Sequence, residues 1–515
     1  MSNYPWLTTI GLVPLVGAIV IAALPKAAAA SARIIALVFS LVTLGLGIAA
    51  ATQFKTGGTD GQFQLTETHT WIKQFGVSYA LGVDGISLAL ILMSLVLVPV
   101  SILAAWKDVD DESAGRQKSY YALLLVLATF MVGVFAATDV FLFYVFFEAM
   151  LIPVYFLIGQ FGGPRRQYAA VKFLIFSLLG GLIMLAAVIG LYQAGPGGEH
   201  GFLVSNLVGA DIPLSTQKWL FVGFFIAFAV KAPMVPVHTW LPDAASESKP
   251  AVAVLLVGVL DKVGTYGMIR FCLELFPGAS KWATPVVITL AVISIIYGAL
   301  VAIGQTDMMR LIAYTSVSHF GFIVMGIFAM TSTSQIGANL YMINHGFTTG
   351  ALFLFAGFLV ARGGSRKIAD YGGWQRVTPV LAGVFLIAGL SGLALPGLNA
   401  FVSEFLVMVG TFPKYWLAAT IGALAVILAA IYILLMYKNV MTGPKPEGER
   451  FSAIPDLDGR EKVVAGVLLA FLIGLGVYPK PALDMLKPAV TQTMQHVGVT
   501  DPAPTEGAAV DGSAK

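Results

Sequence analysis

Long apolar segments alternate with short polar connections along almost the whole chain. One crossing of a bilayer core takes about 20 consecutive apolar residues, and this criterion predicts about fourteen membrane-spanning helices. The predicted spans fall near residues 5–24, 33–52, 80–105, 119–137, 139–159, 168–193, 217–239, 249–274, 283–304, 307–330, 335–361, 377–410, 415–438 and 462–479. The pattern therefore predicts an all-α polytopic membrane protein.

Two of these spans contain residues that interrupt helices. In the seventh span, Lys231 is followed by three prolines: Pro233, Pro236 and Pro242. The stretch 377–410 is too long for one straight span and carries Pro396. Interrupted backbone at membrane depth is tolerated only where protein or a wet cavity satisfies the freed polar groups. We therefore expect helices 7 and 12 to be broken and to face the interior.

The two broken spans occupy matching positions in two sets of five spans. Paired interruptions of this kind indicate a transporter core with inverted repeats. The organisation that we predict has three helices and loops first, then two inverted five-helix repeats, a loop with a last span, and a polar tail: 1–118, 119–274, 275–440, 441–482 and 483–515. The tail from residue 491 onwards is polar and rich in small residues and prolines, so we expect it to be largely disordered.

Composition and charge exclude several classes of protein. The chain is 58% hydrophobic and 11% charged, with a mean hydropathy of +0.86, whereas soluble chains carry about 25% charged residues. The net charge of +3 gives no reason to expect a nucleic-acid partner, and the single cysteine, Cys272, excludes intrachain disulfides and clusters held by several thiolates. Lys and Arg are roughly twice as frequent in one set of alternating connections as in the other, which places both termini outside the cytoplasm.

Titratable side chains recur inside the apolar spans, where each charge costs about 2.5–3.5 kcal/mol on insertion scales. The candidates for proton translocation lie in different spans: Glu148, Lys231, Lys262, His319, His345 and Glu404. A structural ion pair or a satisfied core polar group would explain any one of them, and a lone histidine most easily. A set of them is better explained by a polar path lining a common interior.

Three other charged residues, Asp261, Asp307 and Arg310, lie nearer to span ends or loops by our reading, so we expect anchoring or snorkelling there. Asp84 precedes the third span, where its side-chain oxygen is expected to cap the helix.

A carboxylate and a buried lysine that approach and separate form a proton switch. The carboxylate favours the charged ammonium, and its withdrawal favours release of the proton. Histidine suits a relay because its charge changes near neutral pH. No energy source for pumping is evident in the chain, and moving a proton against 100 mV costs about 2.3 kcal/mol, so a partner has to supply the drive.

Motifs along residues 75–440 resemble one known family. The stretches that carry the resemblance are FFEAMLIPVYFLIG, VKAPMVPVHTWLPDA, LDKVGTYGMIRF, RLIAYTSVSHFGFI, NHGFTTGALFLFAG and LSGLALPGLNAFVSEF. Together they are similar to the antiporter-like membrane subunits of the proton-pumping NADH:quinone oxidoreductase, complex I. Glu404 in SEF stands where related subunits carry a lysine, which indicates the chain-4 type.

The resemblance implies fourteen helices with two inverted five-helix units and a proton path. It implies that Glu148 is the fifth-helix carboxylate, Lys231 its partner and Lys262 the central lysine. By the same resemblance His319 and His345 are relay groups and Glu404 is the terminal acid. The pattern departs from the family at Ala245, where a histidine is frequent, and at Asp261, where an apolar residue is frequent.

The resemblance also implies which groups belong elsewhere. NADH, flavin, iron-sulfur clusters and quinone are expected in partner subunits, so this chain is a translocase subunit that carries no cofactor, metal or redox site of its own. Its expected partners are other membrane subunits of complex I, especially neighbouring antiporter-like subunits, together with lipid, water and protons, in a bacterial inner membrane.

Two alternatives remain open from the sequence. A subunit of a multisubunit cation/proton antiporter would share most of these motifs. A purely structural subunit that scaffolds a membrane arm would tolerate loss of the buried charges.

Overall fold

The computed structural model describes residues 4–57, 62–448, 451 and 453–502. Its helices of eight or more residues, in chain order, are α1 (Trp6–Ala23), α2 (Lys26–Gln53), α3 (Gly85–Ala104), α4 (Ala114–Ala136), α5 (Val140–Phe161), α6 (Arg166–Ala194), α7 (Leu214–Lys231), α8 (Trp240–Glu247), α9 (Pro250–Leu273), α10 (Pro277–Ile303), α11 (Met308–Phe328), α12 (Ser332–Gly363), α13 (Pro379–Gly392), α14 (Asn399–Thr411), α15 (Trp416–Met441), α16 (Gly459–Val477) and α17 (Lys480–Val497). The protein is a polytopic helical membrane protein.

Within the described residues, 11 helices are long and apolar enough to cross a membrane, or up to 12 if α16 and α17, bent by 69° at their junction, count as one span. The predicted spans 217–239 and 377–410 each correspond to a helix, a non-helical segment and a second helix, namely α7 with α8 and α13 with α14. The total of fourteen spans stays a prediction.

A β-hairpin precedes α3 at the point where the sequence predicted that a span begins. Strands β1 (Gln64–Ile72) and β2 (Val77–Val83) pair antiparallel. Because β2 is itself largely apolar, hydropathy alone does not separate it from the helix that follows. Asp84 provides that boundary: its side chain accepts hydrogen bonds from Ile86 N at 3.0 Å and Ser87 N at 2.9 Å, which confirms the predicted cap.

The interior of the protein is formed by three helices that carry candidate residues. α9 is wholly buried, and α11 and α12 are almost so. By contrast α2, α6, α10 and α15 each leave an apolar face exposed, as helices do when lipid or another subunit covers them. Lys262, His319 and His345 therefore lie in the part of the molecule farthest from lipid.

The beginning of the tail is ordered, contrary to the disorder expected from residue 491. α17 continues to Val497, and Thr493 Oγ1 donates a hydrogen bond to Glu274 Oε1 at 2.7 Å. The error has a physical cause: α17 is amphipathic, and its buried stripe of small and apolar residues at helical spacing was masked by the polar average composition. Residues 503–515 lie outside the described part of the chain.

Helices α10 and α11 pack with their backbones in close approach. A Cβ at Gly298 would lie 2.6 Å from Ser318 N, and one at Gly321 would lie 2.7 Å from Ala291 O. Small residues at helix contacts are the usual means of tight association in membranes.

Gly298→Leu is expected to separate α10 from α11, because the added side chain meets backbone that cannot move aside. Overpacking of this kind costs about 1–3 kcal/mol or more. The thermal unfolding midpoint of the detergent-solubilised chain should fall clearly. Gly466→Leu is the matched control, since Gly466 is an exposed helical glycine with open space around it; equal midpoints for the two variants would contradict the packing argument.

Candidate functional site

The first break in a span immediately follows Lys231, the last residue of α7. The non-helical segment reaches Thr239, and its polar backbone is satisfied within the protein. Met234 N donates to Ala229 O at 3.0 Å, and Val235 N donates to Ser294 Oγ at 3.0 Å. Such compensation is what an interrupted helix at membrane depth requires.

The prolines that motivated the prediction have different positions. Pro233 and Pro236 lie in the non-helical segment between α7 and α8. Pro242 instead lies in the first turn of α8, where a missing backbone N–H is harmless. Only the first two therefore stand in the interruption itself.

Lys231 is a buried cation held by aromatic rings. Its side chain is 1% exposed, and Nζ has no hydrogen-bond partner among the described residues. The Nζ atom lies 5.2 Å from the ring centroid of Phe147 and 5.4 Å from that of Phe173. Both distances lie within the range of cation–π attraction.

Glu148 is the nearest acidic candidate to Lys231. It lies in α5, half-buried, with Oε1 unpartnered among the described residues, and Lys231 acts on it electrostatically. Gly181 of α6 makes room for the carboxylate, since a Cβ there would overlap Oε1. The two groups are thus neighbours that are not hydrogen-bonded to each other.

Lys262 lies on α9 beside a π-helical turn, Leu256–Leu260, a local geometry that is frequent at functional sites. Its Nζ donates to Val257 O at 2.6 Å and lies 2.7 Å from Nδ1 of His345. The Phe320 ring lies beside it, with the centroid 5.2 Å from Nζ. Lys262 and His345 are therefore in direct contact.

Asp261 corrects the sequence interpretation. It was expected nearer to the end of its span, in an anchoring or snorkelling role, but it is fully buried in the middle of α9. Its two carboxylate oxygens have no hydrogen-bond partner in the described part of the chain, while Lys231 and Lys262 both act on it electrostatically. A carboxyl group that interacts with both lysines is therefore present where the sequence predicted none.

A line of polar side chains leads from His345 to Glu404. The rings of His345 and His319 are 5.3 Å apart between centroids. The hydroxyl of Tyr432 lies 3.4 Å from Nε2 of His319, and the Tyr341 ring lies 5.9 Å from that of His319. Tyr341 OH then donates to Glu404 Oε2 at 3.1 Å, so this line continues the Lys262–His345 contact to Glu404.

The second break, between α13 and α14, lies beside this line and contains Pro396. Asn344 of α12 and Asn399 of α14 exchange hydrogen bonds: Asn344 Nδ2 donates to Asn399 O at 2.7 Å, and Asn399 Nδ2 donates to Asn344 O at 3.1 Å. Ser391 Oγ donates to Asn399 Oδ1 at 2.6 Å. The break is held in one position by side chains of α12 and of the two helices that it joins.

Several residues that the sequence analysis did not select belong to this interior. Tyr341 and Tyr432 have no distinctive sequence signal. His238 does have one, since it stands within the proline-rich stretch PVHTW; it is 3% exposed, and both ring nitrogens are unpartnered among the described residues. Its ring centroid lies 5.0 Å from that of Tyr297.

Other charged residues have structural roles. Asp307 caps α11 by accepting from Met309 N at 2.8 Å, and Arg310 pairs with Asp243, in keeping with the anchoring expected for both. Arg270 is 1% exposed and pairs with Asp84 and, at 3.0 Å, with Glu274. Among the described residues, no group of three or more His, Cys, Asp or Glu side chains is arranged to hold a metal ion.

Comparisons with known proteins identify the family. Residues 137–431 match the family described as NADH:quinone oxidoreductase/Mrp antiporter, TM, and residues 62–134 match the amino terminus of NADH-ubiquinone oxidoreductase chain 4. The candidate residues from Glu148 to Glu404 all lie within the first of these matches.

Similar proteins cover nearly the whole chain. NADH-quinone oxidoreductase subunit M of Mycobacterium tuberculosis is 51% identical, over 98% of this chain and 97% of that protein. The Rhodobacter capsulatus subunit M is 39% identical, over 95% and 96%.

Among solved structures, a chain of respiratory complex I from Thermus thermophilus superposes with a TM-score of 0.85 at 30% identity, covering 96% of this chain and all of that one. A chain of the Mrp complex from Dietzia sp. superposes with a TM-score of 0.83 at 22% identity, over 96% and 100%, which shows a shared fold. The chain belongs to the antiporter-like membrane subunits of NADH:quinone oxidoreductase, in the subunit M (chain 4) group.

Proposed function

We propose that this chain translocates protons as a membrane-arm subunit of NADH:quinone oxidoreductase, through the buried line Lys262–His345–His319–Tyr341–Glu404. The observation that carries the proposal is the direct contact of Lys262 Nζ with His345 Nδ1, at 2.7 Å, inside the most buried helices. Ionisable groups in a membrane interior are costly and mark ion or proton pathways by default. A line of neighbouring titratable groups is the expected form of a proton relay.

The first half of the path works as a switch between Glu148 and Lys231. When the carboxylate approaches, Lys231 keeps its proton; when it withdraws, the charged ammonium loses that stabilisation and passes the proton on. The aromatic rings of Phe147 and Phe173 hold the separated lysine in place. Asp261 interacts electrostatically with both Lys231 and Lys262, so it links the Glu148–Lys231 switch to Lys262.

The second half is a relay. The ammonium of Lys262 donates to His345 Nδ1, and the edge-to-face arrangement of His345 and His319 leaves a short step between the rings. Tyr432 and Tyr341 flank His319, and Tyr341 hydrogen-bonds Glu404. Hydroxyl groups donate and accept at once, so each tyrosine can exchange protons with its neighbours.

The architecture supports an inverted-repeat assignment with fourteen spans. The repeats would comprise residues 119–274 and 275–440, each with its broken span in fourth place, preceded by 1–118 and followed by 441–482. The excess of Lys and Arg on one side supports termini on the outer face of a bacterial inner membrane.

The names of the relatives support the place of the chain within a larger enzyme. Subunit M proteins are parts of NADH-quinone oxidoreductase, so the redox groups, namely flavin, iron-sulfur clusters and quinone, together with NADH would reside in partner subunits. Exposed apolar faces on α6 and α10 supply surfaces for neighbouring membrane subunits and lipid. The relatives favour this function over a cation/proton antiporter, since the Mrp similarity is one of fold.

Glu148→Gln and Lys231→Ala are expected to lower NADH-driven proton uptake into inside-out membrane vesicles severely, because either change removes the switch. NADH oxidation should fall with it, after assembly of the complex has been checked. Lys218→Ala is the control, since Lys218 lies over the Trp282 ring away from the path. Wild-type uptake in both site variants would support a scaffold role for these charges.

Tyr341→Phe is expected to slow proton uptake several-fold by removing the hydroxyl that contacts Glu404. Tyr121→Phe is the matched control: it is also a buried tyrosine, but its hydroxyl donates to Ala105 O, outside the path. Rates of NADH-driven acidification in vesicles distinguish them. Equal rates for the two variants would remove Tyr341 from the relay.

A further inference from the structure

A cavity opens at one end of the helix group that surrounds Lys262. Its volume is about 290 Å³, enough for several waters. It is lined by the last residue of α3, Ala104, by the first turn of α9 at Pro250 and Ala251, and by Leu354 and Gly357 of α12. The charged groups around its mouth include Lys107, Arg362 and Arg460, so it lies on the side richer in Lys and Arg.

Most acidic groups of this cavity are already engaged. Glu461 pairs with Arg362 at 2.6 Å, and Asp458 pairs with Arg460 at 3.4 Å. Asp456 accepts from the backbone N–H groups of Val380 and Leu381 and so caps α13. These three carboxylates have structural tasks.

Asp108 differs from them. It lies in the loop after α3, lines the cavity and accepts a hydrogen bond from Tyr120 OH at 3.4 Å. Burial raises the pKa of the Asp108 carboxyl above its ordinary value, an effect that the nearby charges of Lys249 and Arg460 reduce. A carboxyl group of this kind holds a proton at higher pH than an exposed one does.

The cavity is separated from Lys262 by a short distance. The Lys262 side chain points back along α9, since Nζ reaches Val257 O. Val257 is six residues beyond Ala251, which corresponds to about 9 Å of helix rise. About three hydrogen-bond lengths of roughly 2.9 Å cover that distance.

Unpartnered polar atoms lie along this interval. Ser101 is fully buried, shares a face of α3 with Leu97 and Ala104, and its Oγ has no hydrogen-bond partner in the described residues. Thr349, 1% exposed, is one turn from His345 on α12, and its Oγ1 is likewise unpartnered. The Nε2 atom of His345 completes the set.

Helices α3, α9 and α12 meet at glycines along this line. A Cβ at Gly258 would lie 3.4 Å from both Gly346 O and the Leu97 side chain, and one at Gly350 would lie 3.4 Å from Val254. Glycines therefore line the contact of the two helices between the cavity and Lys262. Buried hydroxyls without partners are the groups that ordered water normally satisfies.

We propose that this cavity is the proton-uptake vestibule for Lys262, with Asp108 as the collecting carboxyl group and Ser101 and Thr349 as the hydroxyls that pass protons to His345 and Lys262. The step at each hydroxyl is proton-neutral: it accepts one proton and donates another. The inference rests on the proposed function and adds the place where protons enter the second half of the path.

The first experiment measures NADH-driven proton uptake in inside-out vesicles from Ser101→Ala, Thr349→Val and the double variant. The double variant should lose about tenfold in rate, as 1.4 kcal/mol of added barrier produces. Ser94→Ala and Thr284→Val are matched controls, because these buried hydroxyls already donate to carbonyls of their own helices, at 2.7 and 2.8 Å.

A second measurement tests the vestibule directly. Ala104→Cys should react with a membrane-impermeant thiosulfonate added outside such vesicles, and the adduct should lower uptake by blocking the cavity. Gly115→Cys, an exposed position in α4 with open space around it, is the control, and native Cys272 is fully buried. Labelling of Ala104→Cys without loss of uptake would overturn the proposal.

The Asp108→Asn variant tests the role of this carboxyl group through the pH dependence of the proton-uptake rate. The variant should lose a larger fraction of the wild-type uptake rate as pH rises, since a collecting carboxyl group matters most when protons are scarce. A constant fractional loss would remove Asp108 from the route.

The variants together distinguish failure of the route from failure of the proposed function. If Glu148→Gln and Lys231→Ala abolish proton uptake while the Ser101 and Thr349 variants match their controls, only the route is wrong. If all of these variants retain proton uptake, the proposed function is wrong.

Discussion

The constraint on which this structure depends is the cost of charge in a medium without bulk water. Lys231, Lys262 and Glu404 are each almost inaccessible, and each has to be compensated by protein groups. The compensation is incomplete at Lys231, whose ammonium lies near two aromatic rings and interacts with a carboxylate without a hydrogen bond. It is stronger at Lys262, whose Nζ contacts a carbonyl oxygen and an imidazole nitrogen. The two buried lysines are thus compensated by different kinds of protein group.

The breaks in helices follow from the same constraint. Interrupting α7 after Lys231 exposes backbone groups that would be intolerable in lipid, so the break has to lie against α10, where Ser294 accepts Val235 N. At the second break Asn399 exchanges hydrogen bonds with Asn344 of α12, and these bonds satisfy backbone carbonyl groups there. Each break therefore requires a polar partner on a neighbouring helix, which ties the position of the path to the packing of the core.

Much of the architecture could be predicted from the sequence because apolar length has a direct physical meaning in a bilayer. The positions of the helices and both interruptions follow from it, whereas the cap at Asp84 follows from the chemistry of its side-chain oxygen. Local composition misled at β2, part of which was included in the predicted span 80–105, and at two further places. The helix at Lys480–Val497 was hidden by its polar average, and Asp261 was placed near a span end although α9 continues well beyond it.

The candidate site could be predicted only as a set of charged residues. Their mutual contacts depend on which faces of α9, α11 and α12 meet, and a sequence without partners for comparison does not specify rotation about a helix axis. Tyr341 and Tyr432 illustrate this limit, because an ordinary core tyrosine and one beside Glu404 look alike in the chain.

The contact of Thr493 with Glu274 has a consequence for biosynthesis. The two residues are separated by 219 positions, so α9 has left the ribosome long before the segment that contacts its C-terminal end is made. Until then Glu274 and its neighbour Arg270 have partners that are made earlier, including Asp84, Gln62 and each other. Helix α17, which is translated much later, closes a charge cluster formed by helices made earlier, so its docking is a late step in the maturation of the subunit.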